Sequence, residues 1–283
     1  MSEAVLGPNR YGKAEVRVVR VDRSGPEHRL TDLNVSVALS GDLTETHLSG
    51  DNANVLPTDT QKNTVYAFAA DGVGAVESFG LRLARHFVAS AGPISAARVR
   101  LESYAWERLG PHSFRGGGPE VRTAVVTHAA SGTGVVAGVR DLVLLNTTDS
   151  EFTGFAVDAY TTLAPATDRI LATAVDARWR YAAADGDWDA LWARARDCLV
   201  AAFAGTYSLS LQQTLYAMGA RVVDEVPEVV EVRLVLPNRH HVGVDTAAFG
   251  RPVGGVYHAA DRPYGLIEGT VLRAGAAADP AEW

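Results

Sequence analysis

Apolar and polar residues alternate through "KAEVRVVRVDR" near the start of the chain, and again through "LNVSVALSG". A period of two marks a half-buried β-strand, so these runs predict a hairpin. From residue 60 to 90 the apolar spacing becomes helical, with a break near Gly72 and Gly74. Two further strand-like runs follow, "AARVRLESYAWERL" and "EVRTAVVTHA", with "GGG" at 116–118 between them. No helix follows those glycines, so they read as a long hairpin turn rather than a phosphate loop. After "ASGTG" at 130–134 the pattern starts over. "VVAGVRDLVLLNTT" and "RILATAVDARWRYA" predict strands, and "DWDALWARARDCLVAAFAG" and "SLQQTLYAMGARVVDEV" predict helices. The closing strands are expected at "EVVEVRLVL" and "HHVGVDT".

Strands, helices and strands thus succeed one another twice. A local echo supports duplication: "TVYAF" at 64–68 and "TLYAM" at 214–218 each lie near a helix start signal, Thr60 to Asn63 and Ser210 to Gln213. The expectation is an α+β protein with two domains, residues 1–134 and 135–283, the second ending in a flexible tail, "RAGAAADPAEW".

Composition narrows the function classes. The chain has 283 residues, 47% of them hydrophobic, and a net charge of −7, which disfavours nucleic acid as a partner. There is no apolar run long enough for a membrane span, no leader-like start and no Ser-Lys-Leu ending. Cys198 is the single cysteine, so no intrachain disulfide forms and it reads as a small apolar core residue. A cytoplasmic protein with neither nucleic-acid nor membrane partners is expected.

Candidate chemistry gathers at four places. In "LPNRHHVGVD" the alternation sends His240 and His241 to opposite faces, while Asn238 and His240 share one. That geometry argues against a shared metal ion and leaves His240 open as either a structural or a catalytic histidine. In "LPTDTQKNTVY", Thr58 or Thr60 fits a helix N-cap, and Thr58 with Gln61 fits a capping box. A helix start is also an anion site, because its free amides and positive dipole end point outward. Leu211 and Gln212 offer the same after a Ser210 cap. Lys13 stands at the head of a strand, where solvation is the default; buried beside a hydroxyl, its amine would lose its proton more easily and serve as a base.

"YGKAEVRV", "LPTDTQKNTVY", "SEFTGF", "DRILATAVDARWRY", "SLQQTLYAM" and "LPNRHHVGVD" follow in an order and spacing that resembles the urate oxidase (uricase) family, from about residue 11 to 267. The resemblance implies two tandem tunnelling-fold (T-fold) domains, each an antiparallel four-stranded sheet with two helices on one side. It further implies that chains form barrels stacked as a homotetramer, with active sites between subunits. Urate and O2 would be the substrates, and 5-hydroxyisourate and H2O2 the products of purine degradation, with neither metal nor organic cofactor. By motif, Lys13 resembles the family's catalytic lysine, Thr58 its hydroxyl partner, and His240 the histidine of that proton network. Phe152 would stack on the purine, Arg169 and Gln212 would grip its edges, and Asn238 would face the oxygen site. Asp59 and Leu211 would lend backbone amides; Leu211 replaces the family's usual valine, a change a backbone contact tolerates. No role carries over to His241. Two alternatives remain at this level: a T-fold enzyme acting on pterins or GTP, and a purine-binding protein without catalysis.

Overall fold

The computed structural model describes residues 4–90 and 92–281. The alternating runs become β1 (Tyr11–Asp22) and β2 (Arg29–Gly41), followed by a short helix α1 (Thr44–Leu48). The helical stretch divides into α2 (Thr58–Ala70) and α3 (Val76–Ser90). Gly72 and Gly74 take φ of +119° and +67° between them, a region glycine enters without strain. Then come β3 (Ile94–Arg108), β4 (Phe114–Ala129), β5 (Gly132–Asn146) and β6 (Leu171–Tyr181). Helices α4 (Trp188–Gly205) and α5 (Leu211–Glu225) precede β7 (Val229–Gly243) and β8 (Tyr257–Leu272). The architecture is α+β, with antiparallel pairing of β1 with β2, β2 with β3, β3 with β4, and β7 with β8.

Two compact units divide the chain, the first holding residues up to 138 and 180–191, the second 139–179 and 192–280. In the first, strand order follows chain order from β1 to β4. Leu33, Val35, Val37 and Leu39 of β2 point to one buried face, where α3 sets Phe79, Leu83 and Phe87 against β3 and β4. A Cβ on Gly80 would stand 2.8 Å from Val126 Cγ2 and 2.9 Å from Leu101 Cδ1, so the glycine sets how closely α3 approaches the strands. Helix α2 lies along β1. Behind α3, Glu77 is fully buried and accepts from Arg122 at 2.6 Å, and Arg122 also reaches Asp189 at 2.6 Å.

The second unit repeats the plan with β5 to β8 in order. Helix α5 sets Leu215, Met218 and Val222 against β7 and β8, where Val232, Leu234 and Leu236 are buried. Here two glycines admit the contact. A Cβ on Gly219 would fall 2.6 Å from Val271 Cγ2, and one on Gly269 would fall 2.8 Å from Leu215 Cδ2.

Several expectations change. The glycines at 116–118 lie inside β4, and the turn is at 109–113, closed by the Leu109 amide donating to Ser113 O at 2.9 Å. The ladder shifts between Tyr104–Val121 and Trp106–Gly116, so the glycines are absorbed as an irregular stretch of strand. β7 runs unbroken from the first expected closing strand into the second, ending at Gly243, and its partner β8 lies outside the expected elements because Pro263 and Gly265 mask its pattern. Helix α2 begins at Thr58 with Pro57 as N-cap and no side-chain cap, so Thr60 is not a start signal. Ser210 is one: its Oγ accepts from the Gln213 amide at 3.2 Å, and Gln213 Oε1 accepts from the Leu209 amide at 2.7 Å. The five-residue echo joins α2, first of its unit's pair of long helices, to α5, second of its own. The duplication lies in element order, not in that peptide. Within the closing segment the Asp279 amide donates to the buried Glu231 carboxylate at 3.0 Å, and Arg233 donates to Asp279 O.

Gly219→Ala should destabilise the fold by about 1–3 kcal/mol through overpacking, read as a lower denaturant midpoint with unchanged slope. Burial pushes the Glu77 carboxyl above the ordinary range although Arg122 opposes it. The folded chain therefore holds that proton to higher pH than the unfolded chain does. Its contribution is complete below the unfolded value and lost as pH climbs through the raised one. The unfolding midpoint of the wild type should fall relative to that of Glu77→Gln as pH rises from acid to neutral.

Candidate active site

On the first unit, Lys13 of β1 is partly buried and pairs across the ladder with Val37, whose side chain is buried. Cross-strand partners share a face, so Lys13 lies on the side the helices cover. Tyr11, two residues earlier, reaches the chain just before α2: its hydroxyl donates to Leu56 O at 3.1 Å and accepts from the Leu56 amide at 2.8 Å. Pro57 then caps α2, accepting from the Gln61 amide at 3.1 Å. The Gln61 side chain donates to Leu56 O at 3.2 Å and forms no box with Thr58. The Thr58 hydroxyl and the Lys13 amine have no hydrogen-bond partner among the described residues. Asp59 spends its carboxylate on Lys62 and on Asn63 at 2.9 Å, which leaves its backbone amide at the helix start. Lys62, then Asn63, and then the charge of Lys13 hold that carboxyl below the usual range.

On the second unit, Phe152 sits in a short bridge with Ala166, exchanging backbone hydrogen bonds of 2.7 and 3.0 Å. Its ring stacks on Phe155 at 5.0 Å and 14°, and the Arg169 guanidinium lies 5.3 Å from its centroid. Arg169 is oriented by Ser150, which accepts its amide at 2.9 Å and its Nε at 3.2 Å. Partial burial lowers the guanidinium's affinity for its proton, though an arginine stays charged. Ser208 ties this segment to α5. It bridges Ser150, its carbonyl accepts from the Glu151 amide at 2.8 Å, and its hydroxyl donates to Ser210 O at 3.1 Å. Thr214 donates to Ser208 Oγ at 2.8 Å within the buried interior. Leu211 and Gln212 occupy the first turn, where their amides have no partner within the helix.

Asn238 and His240 continue the β7 face that buries Leu234 and Leu236, the face α5 packs against. Their side chains carry no hydrogen bond among the described residues. His241 points the other way, with Pro237 and Arg239, into an open cavity of about 630 Å³ on the opposite face. β8 bends around this point, its register shifting between Asn238–Gly265 and His240–Ala260.

The structure thus brings Phe152, Arg169, Leu211 and Gln212 together on the second unit, and Lys13, Thr58 and Asp59 on the first. Tyr11, Ser150, Phe155, Ser208 and Thr214 hold those groups in place and were missed in the sequence. Tyr11, Ser150, Phe155 and Thr214 lie within the motifs "YGKAEVRV", "SEFTGF" and "SLQQTLYAM", whereas Ser208 left no signal. Among the described residues, no three His, Cys, Asp or Glu side chains gather as metal ligands, and no helix is long and apolar enough to cross a membrane. Cys198 lies apart, buried, with its thiol donating to Glu225 Oε2 at 3.4 Å.

The described residues form an α+β protein with a helix start presenting free amides in each unit and, in the second, a guanidinium beside an aromatic ring. The family model described as Uricase matches residues 9–131 and 135–268. A uricase of Arthrobacter globiformis is 49% identical over 285 residues, covering 100% of this chain and 94% of that protein. A Danio rerio uricase is 36% identical, covering 93% of each. The crystal structure of the Arthrobacter globiformis uricase superposes with a TM-score of 0.96 over 98% of each chain. The chain belongs to the uricase family.

Burial, then the neighbouring Glu225, pushes the Cys198 thiol up to about 11. Ellman's reagent should therefore leave the native protein unlabelled at neutral pH and modify one thiol per chain after denaturation.

Proposed function

We propose that this chain is a urate oxidase, converting urate, O2 and water to 5-hydroxyisourate and H2O2. Urate gives up two electrons, O2 takes them as peroxide, and water supplies the hydroxyl added to the ring. The uricase match along the whole chain supports the activity. The arrangement that carries the site is Arg169, held by Ser150 and set 5.3 Å from the Phe152 ring, beside the open first turn of α5. Phe152 supplies a π-face for the purine. Arg169 donates to adjacent carbonyl and ring-nitrogen atoms, and Gln212 with the Leu211 amide completes the grip.

Proton removal makes urate a better reductant. Lys13 accepts the proton through the Thr58 hydroxyl, and His240 passes protons through a water. Asn238 and Thr58 hold O2, then peroxide, over the ring. The Asp59 amide binds the purine from the start of α2, where the dipole favours negative charge. That the side chains of Lys13, Thr58, Asn238 and His240 carry no hydrogen bond among the described residues supports this assignment. No metal or organic cofactor enters the scheme.

The domains of this reading are tandem T-folds, residues 1–134 and 135–283. Lys13, Thr58 and Asp59 then lie on one domain, and Phe152, Arg169, Leu211, Gln212, Asn238 and His240 on the other. We place each site between subunits of a homotetramer, pairing the first domain of one chain with the second of another. Exposed apolar side chains along the strands, among them Val143, Leu145, Val242 and Leu266, support assembly. The cytoplasm suits a protein whose single cysteine stays a buried thiol.

Oxygen uptake with urate after exhaustive chelation should persist in the wild type and fall by at least about 100-fold in Lys13→Met. Lys13→Ala and Arg169→Ala should each be inactive. Co-refolded at equal amounts they should regain roughly a quarter of wild-type activity, the share of shared sites with both halves intact under random assortment. No recovery in proven hybrids would put the whole site in one chain.

A further inference from the structure

β1 changes the face it presents to the helices within a few residues. Val16 and Val18 are buried. Strict alternation carried back from them would put Ala14 and Gly12 on the buried side and turn Lys13 away. The pairing instead jumps from Lys13–Val37 to Val16–Val35, so that Ala14 and Glu15 together face Ser36. This bulge restores Lys13 and Tyr11 to the buried side. Gly12, Ala14 and Ser36 line a cavity of about 310 Å³ that opens on the other face with Arg98 and Arg100.

The bulge has an identifiable support. Glu15 takes φ of +57°, a left-handed conformation that penalises any residue with a Cβ. Its amide donates to Ser36 Oγ at 3.0 Å. The second unit repeats the device: Asp141 of β5 also takes φ of +57°, and its amide donates to Asp176 Oδ1 of β6 at 3.0 Å. Gly138, Val139, Arg140, Asp141 and Leu142 thus correspond to Gly12, Lys13, Ala14, Glu15 and Val16. Where the first unit holds a lysine, the second holds the buried Val139.

We propose that Ser36 is a positioning residue for the reaction: by accepting the Glu15 amide it fixes the bulge that keeps the Lys13 amine beside the start of α2. This rests on Lys13 being the base. Without the acceptor, the Glu15 amide must find water or the strand must slip, and a slip carries the amine toward solvent. The amine then exchanges its proton with solvent and no longer with the Thr58 hydroxyl, which changes the rate and its dependence on pH.

The test compares Ser36→Ala, Ser36→Thr, Asp176→Ala and Lys13→Met as full-length enzymes with urate. Ser36→Ala should lower kcat by about ten-fold, leave KM nearly unchanged, and move the acid limb of the kcat–pH profile to higher pH. Ser36→Thr keeps the acceptor oxygen and should restore both. Asp176→Ala opens the matching device beside Val139; it should lower Tm without moving the pH profile. Should Ser36→Ala fail to fold, the same change in a Glu15→Gly background carries the test, because glycine adopts the left-handed φ freely and the limb should still move. A wild-type profile in Ser36→Ala, or an equal shift in Asp176→Ala, overturns the proposal while an inactive Lys13→Met leaves Lys13 as base. An active Lys13→Met instead overturns the assignment of the base, whatever Ser36 does.

Discussion

Side chains along a strand must point alternately to two faces, and in each unit the helices cover one of them. That constraint determines where chemistry can reside. A polar group midway along the covered face would be walled in by apolar neighbours, as Thr173 is, its hydroxyl buried without a partner among the described residues. The groups proposed for the reaction accordingly appear where regularity ends. Lys13 sits at the irregularity of β1, Thr58 and Gln212 in the first turns of α2 and α5, and Asn238 and His240 beyond the last buried residues of β7.

Helix starts need support from outside the helix, because their first amides have no partner within it. The two units supply it differently. Before α2, Tyr11 grips both polar atoms of Leu56 and Pro57 fixes the backbone, so Thr58 is spared from capping and keeps its hydroxyl for other use. Before α5, Ser210 and Gln213 cap reciprocally while Ser208 and Thr214 lock the preceding turn to the Phe152 segment. Each arrangement presents amides with a positive dipole end behind them, and each does so without a metal-ligand cluster among the described residues.

Much of this was legible from residue types. The glycine break between α2 and α3, the Ser210 start of α5 and the opposite orientations of His240 and His241 follow from local rules. Long-range matters were not legible. Pairing register decides that three glycines sit within β4, and that β8 exists at all behind Pro263 and Gly265. The Thr60 signal failed because a neighbouring proline had already started the helix. Tyr11 and Leu56 lie 45 residues apart, and nothing in either peptide announces their contact. The proposed roles of the site residues came from motif resemblance, whereas the unengaged side chains of Lys13, Thr58, Asn238 and His240 became visible only among the described residues of the folded chain.

The valine at position 139 has a consequence for stoichiometry. The strand device occurs twice among the described residues, yet the first copy holds Lys13 where the second holds the buried Val139, and the Phe152–Arg169 pairing belongs to the second unit. On the function proposed above, the two units divide the labour instead of doubling the capacity. On that reading each polypeptide carries one set of base and purine-gripping groups, split between its two lobes, so its turnover sites number one per chain and not two.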